Sequence, residues 1–128
     1  MSKKYLVFCG LIMGTMTLDA AVYKGQKVYI KKCRICHEGG EKVATQKTMQ
    51  AWQEYFQNKG ANIAATHMGK ASVKRQISEL HNNGKAKKLT QDKLERYFLS
   101  GKFQKKSRHL KDFLMQYAKD SGNVPACN

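Results

Sequence analysis

Two thiols two residues apart, followed at once by an imidazole, occur in this chain as Cys33-Arg34-Ile35-Cys36-His37, and no other stretch restricts the fold as much. On a helical turn this spacing lets each thiol add to one of the two vinyl groups of a haem, while His37 falls beneath the ring and binds the iron from one side. Three other readings compete. A thioredoxin-like dithiol expects a preceding strand in a βαβ context, whereas helical spacing leads into this motif. Half of a zinc site would need a second C-x-x-C or an H-x-x-x-H partner, and Cys127 stands alone. The third is coincidence. The histidine in the following position and an export signal upstream favour one covalently bound haem c, with iron as the metal.

The export signal comprises basic Lys3 and Lys4, an apolar run from Leu6 to Leu18, and the small pair Ala20-Ala21, which together fit a cleavable signal peptide over residues 1–20 with cleavage after Ala20. The run is too short for an ordinary membrane span; an uncleaved anchor is the alternative. Residues 21–128 then form one small domain, since so short a chain supports a single core, and an enclosed haem would supply much of it. Loss of Lys3, Lys4 and Asp19 takes the formal charge from +15 only to +14. Such a field steers the protein toward acidic partner proteins or an anionic membrane surface. Nucleic acid is the other usual partner of a basic domain, but export to a bacterial periplasm or its equivalent and the even spread of lysines argue against it. Cys127 is left as an odd thiol in an oxidising compartment, open to an intermolecular disulfide.

Apolar residues recur with helical period, and no alternating run marks a strand. Glycines at 60, 84, 101 and 122 each follow a helical segment, where C-terminal caps belong. This divides the domain into about five amphipathic helices. The first runs from about Val22 into the motif. The second, about 47–58, carries Met49, Trp52 and Phe56 on one stripe. The third, about 62–82, is open to a break near Gly69. The fourth follows Thr90 as N-cap, and the last starts at Ser107 with Leu110, Phe113, Leu114 and Tyr117 on one side. The fold class is all-α.

Gly25 and Tyr29, four residues apart and ahead of Cys33-x-x-Cys36-His37, together with Leu114-x-x-Tyr117 near the other end, resemble the N- and C-terminal helices of class I monohaem cytochromes c. The resemblance implies a cytochrome c-like domain in which these two helices cross, with Gly25 and Tyr29 packed against Phe113, Leu114 and Tyr117. It implies a one-electron carrier with lysines around an exposed haem edge. Two departures stand out. Glu38-Gly39-Gly40 lacks the proline whose loop usually orients the proximal histidine, so His37 needs another partner. The stretch from Gly101 to Arg108, where the family presents a methionine ligand, has no methionine.

The sixth ligand must therefore come from elsewhere. Met49 reads as core and Met115 as surface, while His81 and His109 have ordinary packed or edge roles. His67 ranks first and Met68 second, because small residues from Ala61 to Ala65 allow close approach to a flat ring and Ile63 shares a face with His67. Trp52 is a candidate donor to a haem propionate, with core packing as its competing role. A missing methionine loop also leaves a second function open, a haem enzyme or gas sensor with an unfilled sixth position.

Overall fold

The computed structural model describes residues 16–123, so residues 1–15 of the expected signal peptide, Cys9 and Cys127 lie outside the described residues. Seven helices and no strand occur among the described residues: α1 (Met16–Lys32), α2 (Gly40–Ala44), α3 (Met49–Tyr55), α4 (Gln57–His67), α5 (Ala71–Asn82), α6 (Gln91–Leu99) and α7 (Gly101–Gln116). The all-α expectation holds, with seven helices in place of about five. Helix α1 passes through Ala20 without interruption. None of the described helices is long and apolar enough to cross a membrane.

Hydroxyl caps set several helix starts, by accepting from a backbone N–H that has no partner within the helix. Thr48 accepts from the Ala51 N–H at 3.1 Å and opens α3. Thr90 accepts from Lys93 at 3.3 Å and opens α6, as its position in the sequence leads one to expect. Ser100 both ends α6 and opens α7, accepting from the Phe103 N–H at 3.2 Å. This corrects the expected start of the last helix from Ser107 to Gly101. Gly101 is the first residue of α7 and caps nothing, whereas Gly84 follows the end of α5 with φ +70°.

Near its start α4 is broken by three left-handed residues, Asn58, Lys59 and Gly60, with φ of 52°, 56° and 82°. The break turns the helix toward α7, where a β-carbon on Gly60 would stand 3.0 Å from the Phe103 ring.

Helices α1 and α7 cross at the centre of the molecule. A β-carbon on Gly25 would lie 1.9 Å from the His109 carbonyl oxygen and 2.7 Å from Phe113 Cβ, so only glycine permits this approach. One turn on, the Tyr29 and Phe113 rings meet at 5.7 Å, and Phe113 packs on Tyr117 at the same distance. Short α2 closes against this crossing, because a side chain on Gly40 would strike the Phe113 ring. Trp52 and Phe56 from the α3 segment, Ile63 and Ala64 from α4, Phe98 from α6, and Phe103, Leu110 and Leu114 from α7 complete one core. Met49, expected inside, is 38% exposed at the first turn of α3. Met115, expected on the surface, is half-buried against the core.

Candidate functional site

Helix α1 ends at Lys32, and the motif forms the turn that follows. The Tyr29 carbonyl accepts from both Cys33 and Arg34 (2.8 and 3.0 Å), and the Cys33 carbonyl accepts from Cys36 and His37 (3.1 and 3.0 Å), winding the five residues into one compact loop. Two longer-range contacts pin it. The Tyr29 hydroxyl donates to the Glu38 carbonyl, and Gln76 Nε2 on α5 donates to the Cys36 carbonyl.

Cys33, Cys36 and His37 line a cavity of about 430 Å³ to which all seven helices contribute, α3, α4, α6 and α7 with most of the apolar wall. That volume is within the range of cofactor sites. The lining is chiefly apolar and aromatic, with Trp52, Ile63, Leu94, Phe98, Leu110 and Leu114 among it. Both cysteines are free thiols. Burial pushes the Cys33 thiol up to about 12, with the neighbouring Cys36 adding to the effect, and burial raises Cys36 as well. Thiols raised in this way are poor nucleophiles for disulfide exchange, which depends on a stabilised thiolate.

His67, at the end of α4, projects into the same cavity, and its Nε2 lies 3.4 Å from His37 Nε2. Its orientation is fixed from two sides. Its Nδ1–H donates to the Ile63 carbonyl one turn back at 2.7 Å, and its ring stacks on Phe98 with centroids 4.6 Å apart. A carbonyl can only accept, so the proton sits on Nδ1 and the Nε2 lone pair points at His37. Thr66 supports this arrangement. Its hydroxyl donates to the same Ile63 carbonyl at 2.8 Å, accepts from the Tyr55 hydroxyl at 3.0 Å and lies 3.2 Å from His67 Nδ1. Burial, then the nearby His67, holds His37 below the ordinary histidine value, which favours its neutral, ligating form.

The other candidates lie elsewhere. Met68 leaves the helix end with an extended backbone and lines a separate groove with Gly60, Ala64 and Leu99. His81 Nε2 donates to the Leu89 carbonyl at 2.7 Å. His109 sits in the α1–α7 crossing, its Nδ1 buried without a hydrogen-bond partner among the described residues. Trp52 lines the cavity, but its indole N–H donates to the Ala44 carbonyl at 2.8 Å, so that donor is already engaged and the ring contributes an apolar wall. The partner expected for His37 Nδ1 does not appear, since the ring's one hydrogen-bonding contact among the described residues is to His67.

Two imidazole nitrogens on opposite sides of one metal, each at about 2 Å, would stand about 4 Å apart, so a small side-chain adjustment from 3.4 Å would bring His37 and His67 to that separation. Among the described residues no three His, Cys, Asp or Glu side chains converge on a metal position. A metal with four ligands of its own in a plane needs only two more, one on each face. Paired thiols, facing imidazoles and an apolar cavity fit a haem.

Neither the Tyr55–Thr66 pair nor the Phe98 stack is evident in the sequence, because each joins residues from different helices. No protein-family model, curated protein or solved structure matches this chain.

Proposed function

We propose that this chain is an exported, periplasmic monohaem c-type cytochrome that carries one electron at a time between partner proteins, with His37 and His67 as the two axial ligands. The facing of the two Nε2 atoms at 3.4 Å, beside both thiols of the motif, carries the reading. Bound there, a haem supplies one-electron exchange at its iron. Cys33 and Cys36 would hold it by covalent bonds, His37 and His67 would bind its iron, and Phe98 and Trp52 would keep water from the ring. Two histidines set a lower potential than a histidine–methionine pair would. His67 standing opposite His37 favours a filled sixth position over the open one that an enzyme or gas sensor needs.

The surface suits brief docking to acidic partners. Ile35, between the two cysteines, is 45% exposed, and Lys32 and Arg34 flank the motif's first thiol beside it. Lys42–Glu38 at 3.4 Å is the one ion pair among the described residues, so most of the basic side chains keep their charge for a partner or an anionic membrane surface.

Expression with a cytochrome c maturation system tests the reading. Intact mass should show one haem adduct that disappears on replacing Cys33 and Cys36 with alanine. The spectrum should be six-coordinate and low-spin in both oxidation states and indifferent to carbon monoxide, while His67→Ala should become high-spin and bind it. A wild-type spectrum that already binds carbon monoxide would establish the sensor or enzyme alternative. Reduction by an acidic partner should slow steeply as salt rises.

A further inference from the structure

Two lysines line the cavity, and they differ in setting. Lys32 directly precedes Cys33, is exposed, and holds its ammonium 4.9 Å from the centre of the Tyr97 ring. Lys47, on the segment leading into α3, is half-buried, with its ammonium 5.0 Å from the Tyr55 ring centre and 5.7 Å from that of Trp52. The aromatic faces attract the cation but supply no counter-charge. Among the described residues no carboxylate pairs with Lys47. Asp120 accepts from the Met49 backbone N–H, and Lys119 donates its backbone N–H to the Lys47 carbonyl. A half-buried lysine on the wall of an apolar cavity, its ammonium facing two aromatic rings and no carboxylate, suits an anion in that cavity.

A haem brings two such anions. The propionates of a haem sit on the edge of the macrocycle opposite its vinyl groups, so with the vinyls on Cys33 and Cys36 they would point away from Lys32, which adjoins Cys33. We infer that Lys47 is the propionate anchor of this site, pairing with one haem carboxylate and fixing the ring's free edge. The inference rests on the haem reading above and names a residue that the motif does not contain.

Zero-length cross-linking of the holoprotein with a water-soluble carbodiimide tests it. The Lys47 amine and a propionate carboxyl in contact form an amide, and the carbodiimide takes up the water released to become a urea. Peptide mapping should place the haem-linked amide on Lys47 in the wild type and in Lys32→Gln, and find none in Lys47→Gln. Removing a cation held against the haem should lower the midpoint potential, further for Lys47→Gln than for Lys32→Gln, with Lys47→Arg restoring it. An amide on Lys32 or on no lysine, or equal potential shifts in the two glutamine variants, overturns the inference while the haem reading stands. Absence of any haem adduct in the wild-type mass overturns both.

Discussion

At the α1–α7 crossing two backbones approach so closely that a single β-carbon on Gly25 has no room, whereas on the α4 side of the cavity His67 is placed by one carbonyl and one aromatic face. The crossing is a steric arrangement, and changes there are felt by the whole core. The His67 arrangement is local and directional, so changes there should alter the site's chemistry and leave most of the stability intact. The helix crossing and the facing of His37 and His67 are thus built from separable parts of the same small domain.

The largest effect should come from cutting the core where both helices meet. Phe113→Ala removes the ring that packs on Tyr29 at 5.7 Å, a partner distant in sequence and central in space, and should cost about 3–5 kcal/mol in denaturant unfolding. Gly25→Ala should follow at about 1–3 kcal/mol, because the added carbon meets backbone atoms that cannot swing aside. Where either variant still binds haem, the low-spin spectrum should persist; its loss in step with stability would break the distinction between the two regions.

Thr66→Val tests the other side. It keeps the shape but removes the hydroxyl shared by Tyr55, the Ile63 carbonyl and His67, and should cost about 1 kcal/mol or less. Its clearer readout is a shifted midpoint potential, since the partner of Nδ1 tunes the ligand's basicity.

The smallest effect should be an acid dependence to which both regions contribute. His37 is held below its ordinary value by burial and then by His67. His109 is lowered by burial first, then by Arg108 and Lys24, with Asp112 opposing. For both, the unfolded chain takes up a proton more readily than the folded one. The stabilising contribution is therefore present above about pH 6.5 and is lost as pH falls through that value toward the lower folded ones. Denaturant midpoints of the haem-free chain should fall between about pH 7.5 and 5.5. His37→Gln and His109→Gln should each flatten part of that slope and so apportion it between cavity and crossing.

The crossing is legible in the sequence because its signals are local and strong: a glycine and an aromatic one turn apart on one helix, and an apolar stripe on another. The motif places both thiols and His37 together, and the small residues of 61–65 with the Ile63–His67 spacing point to the helix that faces them. What the sequence hides depends on tertiary context. Helix α2 is too short to show a period, and its Gly40 is explained only by the Phe113 ring above it. Gly101 reads as a helix end, yet Ser100 caps the turn that begins there. Met49 shares the stripe of Trp52 but occupies the first turn of α3, at the rim of the core. An indole N–H takes whatever acceptor the fold offers, and for Trp52 only the folded chain brings the Ala44 carbonyl within reach.

Ser100 closes one helix and opens the next with no residue to spare. Surface connections ordinarily absorb insertions, but a joint of one residue has no slack to do so. One residue inserted at this joint, between Leu99 and Ser100, would turn α7 by about 100° relative to α6 and carry Leu110 and Leu114 off the cavity wall. The most sequence-intolerant connection in this protein should therefore be a short and partly exposed one, far along the chain from the cysteines.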